Sequence, residues 1–216
     1  MESFWWKVEG VVKSIRVAGL IVLLSGVALT GRAAYLRAKA ELARVLIQRA
    51  WAEEERNGVA VKPWSWADMH PVARLRISRI GYDEYVLDNA AARTLAFGPG
   101  VVGNGVAIGE EGNLAIAGHR TTWFLKLEEV RTGDRIELQW FEEKKRRLGE
   151  REYVVERTEV VEPADVRLLK PVGGDALTLI TCYPFGYGAS SPQRFVVRAT
   201  PVTESVTLKN GAAERR

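Results

Sequence analysis

The sequence is poor in cysteine and histidine, and this scarcity narrows the chemistry it can perform. It holds one cysteine and two histidines in 216 residues. A single cysteine cannot form a disulfide within the chain or supply a cysteine-rich zinc site. We therefore expect no disulfide framework, no metal site and no cofactor.

Long blocks of like charge are also missing. Lys and Arg number 31 against 27 Asp and Glu, giving a net charge of +4, and the basic residues are scattered among acidic ones. Nucleic-acid-binding domains concentrate positive charge on one face or along one helix. The sequence therefore predicts no nucleic-acid partner. Its 47% hydrophobic and 27% charged residues are typical of a globular domain.

One long apolar run is present, near the N-terminus. Residues 17–29 carry no charge, and with the mild residues up to 36 the run reaches about 20 residues, enough to cross hydrocarbon. We interpret residues 1–36 as an N-terminal segment with an uncleaved membrane anchor; a cleaved signal peptide and a buried soluble helix are the alternatives. Positive charge lies on both sides of the run, so the charges do not set its orientation.

An alanine- and leucine-rich segment follows the apolar run. Its apolar residues recur at helical spacing at positions 36, 40, 43, 47 and 50, which predicts an amphipathic helix ending at Asn57 and Gly58. We interpret this helix as a stalk that holds the next domain away from the bilayer; a helix lying on the membrane surface is the alternative. With the linker that follows, it occupies residues 37–71 in our division of the chain.

A proline and two tryptophans mark the linker into the folded domain. Pro63 blocks a continuing helix. Large aromatic side chains usually pack on the nearest sheet, so we expect Trp64 and Trp66 to pack there, with contact to lipid headgroups or a ligand as the alternative. We expect His70 to be a surface histidine outside any active site.

After His70 the apolar pattern changes to a period of two. The pattern predicts half-buried strands over residues 72–77, 85–87, 134–138, 153–161, 177–182 and 195–199, and a short helix over 123–129. Many short strands with few helices are typical of a β-barrel or a β-sandwich. We therefore predict an all-β domain over residues 72–202, followed by a polar tail over 203–216.

Three strand ends carry reactive residues. Cys182 closes the run 177–182, His119 closes the apolar run 113–119, and Arg194 opens the run 192–197. A lone cysteine in an apolar strand is more often a small buried hydrophobe, and each of the other two residues has an equally ordinary structural explanation. If the three strands are neighbours, however, a thiol, an imidazole and a guanidinium converge. That set suits nucleophilic attack by sulfur, proton transfer and oxyanion stabilisation.

Several strings in the sequence resemble one family. AIAGHRTT, LTLITCYPF and PQRFVVRA are similar to the histidine, cysteine and arginine motifs of sortases, the membrane-anchored cysteine transpeptidases. ARLRISRIG, RTLAFGPG and TGDRIEL also resemble sortase segments. The string KPWSWAD makes the sequence most similar to the sortases of Gram-negative bacteria.

The resemblance implies both a fold and a reaction. Sortases fold as an eight-stranded β-barrel with short helices, so we expect that barrel after a transmembrane helix and an amphipathic helix. The resemblance makes Cys182 the nucleophile, His119 the general acid and then base, and Arg194 the anchor for the oxyanion or the substrate. It implies a protein substrate with a C-terminal Leu-Pro-x-Thr-Gly-like sorting signal, cleaved through a thioester, and an amine as acceptor.

The resemblance also implies a location. We expect a single-pass protein of the inner membrane, with the catalytic domain on the periplasmic side and the membrane as a partner through the N-terminal helix. Two other functions stay open: a thiol peptidase that releases the acyl group to water, and a membrane-anchored peptide-binding barrel without turnover.

Overall fold

The computed structural model describes the backbone of residues 2–103, 105–142, 147–170, 174–185 and 192–202. The chain divides into two compact units, Met1–Arg44 and Val45–Arg216. The predicted polar tail at 203–216 lies outside the described residues.

One long helix, α1, runs over Glu2–Asn57. From Ala18 onward it is long and apolar enough to cross a membrane, and none of its most apolar window is buried. The segments predicted as anchor and stalk both fall within the range of this helix. The helix ends where the sequence predicted, because Gly58 adopts a left-handed conformation (φ 70°) and its N–H donates to the Glu54 carbonyl at 2.8 Å.

Eight strands follow the helix. They are β1 (Pro71–Ile77), β2 (Tyr82–Leu87), β3 (Gly100–Val101), β4 (Asn113–Ala117), β5 (Arg135–Glu142), β6 (Arg147–Val161), β7 (Ala176–Tyr183) and β8 (Gln193–Pro201). Short 3-10 helices lie at Ser78–Ile80, Leu125–Glu129 and Val166–Leu169. The strands close into one barrel in the order β1-β2-β3-β4-β7-β8-β6-β5. This arrangement confirms the expected barrel and excludes the sandwich.

The barrel interior is filled by alternate residues of the strands. In β1 every second residue is buried, because side chains of a strand point alternately to its two faces. The fully buried side chains that fill the centre are large and apolar: Leu75, Ile77, Ile116, Phe124, Leu127, Ile136, Leu138, Leu177 and Leu179. Burial of such side chains stabilises a fold by roughly 1.5–3 kcal/mol each relative to exposure. These contacts hold the strand ends, and hence the candidate site, in place.

A smaller apolar cluster joins the last turns of α1 to the barrel within the second unit. Its buried members are Ile47, Ala67, Met69 and Leu87. Trp64 packs against Phe97 with ring centroids 5.3 Å apart, as expected.

The expectation for Trp66 is wrong, since it is 82% exposed. The linker turns at this point, with the Ala67 N–H donating to the Trp64 carbonyl at 2.9 Å. The turn buries Ala67 and directs Trp66 outward.

Candidate active site

The three strands that carry the candidate residues are neighbours in the barrel. β4 pairs in parallel with β7, and β7 pairs antiparallel with β8. Parallel strands end at the same edge of a sheet, and an antiparallel neighbour begins there. The carboxyl ends of β4 and β7 and the start of β8 therefore meet at one edge, as the sequence hypothesis required.

Cys182 and Arg194 lie directly opposite each other in the register of β7 and β8. Residues paired in this way project from the same face with Cβ atoms about 5 Å apart. Because Leu179 and Val197 point into the core, Cys182 and Arg194 point outward. Both are half-buried. The Arg194 Nη1 donates to the main-chain carbonyl of Gln193 at 2.9 Å.

His119 lies two residues beyond the end of β4, beside the end of β7. The register pairs Ala117 with Ile180, and it continues because the Gly118 N–H donates to the Ile180 carbonyl at 3.1 Å. Thr181 adds a second link, with its Oγ1 donating to the Gly118 carbonyl at 2.7 Å. Extended by two residues beyond the Ala117–Ile180 pair, the same register would place His119 beside Cys182. His119 is exposed to solvent.

The glycine before His119 is required by close packing. A Cβ on Gly118 would lie 2.8 Å from the ring of Phe124, which is fully buried. The chain turns sharply after this point, since the His119 carbonyl accepts hydrogen bonds from the N–H groups of Thr122 (3.3 Å) and Phe124 (3.0 Å). The turn places the Phe124 ring in the barrel core and leaves His119 at the surface.

These features agree with a comparison against known families. The family model for the Sortase domain matches residues 75–202, more than half of the chain. The chain belongs to the sortase family. Membership covers residues 75–202, which we call the sortase domain. The assignment to the Gram-negative subgroup stays a prediction.

Known sortases resemble this sortase domain in sequence and fold. Sortase D of Bacillus subtilis (strain 168) is 28% identical over 130 residues, covering 60% of this chain and 63% of the relative. Sortase A from Corynebacterium diphtheriae is 29% identical with a TM-score of 0.55, covering 66% of this chain and 65% of that chain. Sortase E from Streptomyces avermitilis is 28% identical with a TM-score of 0.51, covering 62% and 88% respectively.

An aromatic cluster closes the barrel end behind Cys182. Phe185 and Phe195 have ring centroids 5.0 Å apart, and Tyr183 lies 6.1 Å from Phe185 and 6.4 Å from Phe195. Two of the rings, Phe185 and Phe195, also pack against the core. The cluster therefore shields the inner side of the sheet at the thiol, so that access to Cys182 is from the outer face. The sequence held a signal for it, in aromatics flanking the cysteine and arginine, which we did not use.

The opposite end of the same outer face carries a buried polar cluster, Asn113, Thr178 and Arg198. Arg198 is only 5% exposed, and its Nη1 lies 2.9 Å from Asn113 Oδ1, 2.5 Å from Thr178 Oγ1 and 3.3 Å from the Leu168 carbonyl. Asn113 Nδ2 donates to the carbonyls of Leu168 (2.6 Å) and Lys170 (3.2 Å). The cluster thus fixes the segment between β6 and β7 against the sheet. Burial lowers the pKa of the Arg198 guanidinium.

We call the end with His119, Cys182 and Arg194 the open end, and the end with Asn113, Thr178 and Arg198 the buried end. Sequence analysis did not find the buried end. Its only signal was the placement of polar residues at outward positions of otherwise apolar strands.

His70 lies away from the three candidate residues, and it is half-buried, not fully exposed. It precedes β1, which the closed barrel separates from β4 by β2 and β3. Its Nδ1 lies 3.4 Å from Asp88 Oδ2, and both residues line a cleft of about 280 Å³ with Trp140 and other side chains. Within the described part of the chain, no group of three or more His, Cys, Asp or Glu side chains is placed to hold a metal ion.

Proposed function

We propose that this chain is a membrane-anchored cysteine transpeptidase that cleaves a Leu-Pro-x-Thr-Gly-like sorting signal and transfers the acyl group to an amine. The observation that carries the proposal is the pairing of Cys182 with Arg194 on one outward face, with His119 at the adjacent strand end. Membership in the sortase family supports the same reaction. Sortases act on protein substrates that bear sorting signals.

In the first half of the reaction, the Cys182 thiolate attacks the carbonyl carbon of the substrate threonine. A carbon–sulfur bond forms and the carbonyl oxygen becomes an oxyanion. Arg194 suits its stabilisation, because a guanidinium is permanently charged and offers forked donors. As the tetrahedral intermediate collapses, the carbon–nitrogen bond breaks, and the departing glycine amine takes a proton from the His119 imidazolium. The product is a thioester on Cys182.

In the second half, an amine attacks the thioester carbon. His119, now neutral, removes the proton from the attacking nitrogen, and Cys182 leaves as a thiolate. Atoms and charge balance over the cycle and no electrons are gained or lost, so the reaction as written uses no oxidant or reductant. The single cysteine also has a benefit outside the cytoplasm, since it cannot be lost to a disulfide within the chain.

The part of the outer face next to Cys182 suits an extended peptide. Ala117 and Ile180 are half-buried there, whereas the neighbouring outward residues Ala115 and Val196 are fully buried. An extended peptide presents alternate side chains to such a surface. We propose that the sorting signal lies over Ala117 and Ile180 with its threonine carbonyl at Cys182.

The N-terminal helix supports membrane attachment. Its side chains from residue 18 to 32 are exposed, among them Leu20, Ile21, Val22, Leu23 and Leu24. Exposed leucine and isoleucine over such a length are stable in hydrocarbon and costly in water. We propose a single-pass anchor in the inner membrane with the sortase domain on the periplasmic side. The division at residues 36, 71 and 202 belongs to this proposal.

Mass spectrometry of Cys182 tests the reaction. The full chain in detergent is mixed with a Leu-Pro-x-Thr-Gly peptide, with and without an added amine, and Cys182→Ala serves as the matched control. We expect an acyl adduct on Cys182 without the amine, and a ligated peptide when the amine is present. Hydrolysed peptide alone would indicate a thiol peptidase. Bound but uncleaved peptide would indicate a non-catalytic barrel, and either result would overturn the transpeptidase assignment.

Protease treatment of intact spheroplasts tests the topology. We expect the sortase domain to be degraded by external protease while remaining in the membrane fraction before treatment. Protection until the cells are lysed would place the domain on the cytoplasmic side and contradict the proposal.

A further inference from the structure

His119 is the least constrained of the three candidate residues. Cys182 and Arg194 lie within paired strands, whereas His119 follows β4 and is exposed. The hydrogen bonds from Gly118 to Ile180 and from Thr181 to Gly118 fix the chain just before the histidine. A general acid must be held within hydrogen-bond reach of the leaving group. After His119, its carbonyl accepts hydrogen bonds from the N–H groups of Thr122 and Phe124, which fix the turn but do not join it to the strand of the thiol. A contact from the turn to that strand would define where the loop lies relative to Cys182.

Arg120, the next residue, makes such a contact. Its Nη1 donates to the main-chain carbonyl of Pro184 at 2.6 Å. Hydrogen bonds from a charged donor are shorter and stronger than neutral ones, and this distance is at the short end of the range. Pro184 comes just after β7 ends at Tyr183, two residues beyond Cys182.

The contacts on both sides enclose His119. The chain is joined to β7 before the histidine, through Ile180 and Thr181, and after it, through Arg120 and Pro184. The first attachment point lies on β7 before Cys182, and the second lies directly after β7, two residues beyond Cys182. The loop that carries His119 is thus held by hydrogen bonds to β7 and to the residue that follows it, close to Cys182.

We propose that Arg120 is a positioning residue, which holds the loop of His119 beside Cys182 by its hydrogen bond to the Pro184 carbonyl. The inference rests on the proposed transpeptidase function, because it assigns Arg120 a role in proton transfer by His119. A displacement of about 1 Å in a catalytic group can cost about 100-fold in rate, so a single tether of this kind matters for turnover more than for stability.

The test compares two substrates that differ in their need for a proton. In an amide substrate the leaving amine must be protonated, whereas in the matching peptide thioester the leaving thiolate needs no proton. Single-turnover acylation of Cys182 is measured with both, in the full chain in detergent, for wild type, Arg120→Gln and Arg120→Lys. Arg93→Gln is the matched control, because Arg93 is exposed and pairs with Asp68 elsewhere on the surface.

We expect Arg120→Gln to slow acylation by the amide about 10- to 100-fold, to slow acylation by the thioester less than about threefold, and to leave KM within about twofold. Arg120→Lys keeps a charged donor and should recover part of the loss. Equal losses on both substrates, or an amide rate within twofold of wild type, would overturn the positioning role.

Amide hydrogen exchange tests the Arg120 tether independently of the proposed transpeptidase activity. In Arg120→Gln the amides of residues 119–124 should exchange at least several-fold faster, while those of β4 keep their wild-type rates. If wild type forms no acyl enzyme but this exchange pattern appears, the transpeptidase assignment fails and the tether is real, yet Arg120 has no catalytic role. Unchanged exchange in residues 119–124 would reject the tether itself.

Discussion

The open and buried ends of the face formed by β4, β7 and β8 each hold three polar or reactive side chains, but these side chains differ in exposure to solvent. At the buried end, Asn113 and Thr178 are fully buried and Arg198 is 5% exposed. At the open end, His119 is exposed, and Cys182 and Arg194 are half-buried. Each end presents one arginine on β8, at positions four residues apart along the same outward face.

The difference lies in what the polar atoms contact. A buried polar group without a partner costs about 1–3 kcal/mol, so the buried end is stable only because its groups bond to one another and to the Leu168 and Lys170 carbonyls. Such groups cannot take part in chemistry without breaking the fold. The side chains of the open end remain accessible from the outer face, and the tethers around His119 come from neighbouring residues instead.

The comparison predicts that the open end governs turnover and the buried end governs stability. The first and largest effect is at the nucleophile. Cys182→Ala should lower the rate of peptide transfer about 1,000-fold or more, because no other side chain in the chain can form the thioester. The melting temperature should change by no more than about 2–4 °C, since the side chain is small and half-buried. Residual transfer above a tenth of the wild-type rate would show that Cys182 is not the nucleophile.

The largest stability effect is predicted for Arg198→Met. Methionine fills a similar volume but removes the donor that Asn113, Thr178 and Leu168 share. We expect a loss of about 2–3 kcal/mol in the free energy of unfolding, measured by chemical denaturation. KM and kcat for the peptide should stay within about twofold of wild type when measured well below the melting temperature, and alkylation of Cys182 by iodoacetamide should stay near the wild-type rate.

Arg135→Met is the control for this experiment, because Arg135 is an exposed arginine that pairs with Glu152 and lies on β5, which does not pair with β8. Its loss should cost less than about 0.5 kcal/mol. Equal destabilisation by the two substitutions would mean that the buried cluster contributes nothing specific.

The two ends also differ in how well the sequence predicted them. The open end was found because its residues close or open apolar strand runs and lie in family motifs. The buried end was missed because the pattern of β8 places Arg198 outward, and outward arginines are normally solvated. Its burial arises from the segment between β6 and β7 folding over the sheet, which is a non-local contact that no local pattern records.

The fold, too, was predicted where it depends on local patterns and missed where it depends on contacts between distant segments. Most strands were predicted to within a few residues, because alternation is a property of the strand itself. β3 was missed, since Gly100–Val101 is too short to show any periodicity. The parallel pairing of β4 with β7, which brings His119 to Cys182, joins segments more than 60 residues apart along the chain. Local patterns cannot supply that pairing, so only the family resemblance placed these residues together.

A smaller effect on turnover is predicted for Arg194→Lys. Lysine keeps the charge but replaces the forked guanidinium by a single ammonium, which fits an oxyanion and a neighbouring carbonyl less well. We expect kcat to fall about 10- to 100-fold, with the free energy of unfolding within about 0.5 kcal/mol of wild type. Arg135→Lys, at an exposed arginine that pairs with Glu152, is the matched control and should leave kcat unchanged. If kcat were unaltered in Arg194→Lys, the positive charge of Arg194 would be sufficient and its forked donors would not contribute.

The finest test uses two buried threonines of β7, Thr178 on the outward face at the buried end and Thr181 on the inward face next to the open end. Thr178 Oγ1 donates to Asn113 Oδ1 at 2.6 Å, and Thr181 Oγ1 donates to the Gly118 carbonyl at 2.7 Å. Both are buried, so Thr→Val removes one hydroxyl in each case with little change in shape. We expect each substitution to cost about 1–2 kcal/mol of stability, slightly more at Thr178, because Arg198 also loses an acceptor there.

Turnover should separate the two variants. Thr181→Val frees the chain directly before His119 and should lower kcat by about 10-fold, whereas Thr178→Val should leave kcat within about twofold of wild type. Both rates are measured well below the melting temperature of the weaker variant, so that unfolded protein does not contribute. If Thr178→Val lowered kcat as much as Thr181→Val, the two ends would be coupled through β7, and the separation of stability from turnover between the two ends would be wrong.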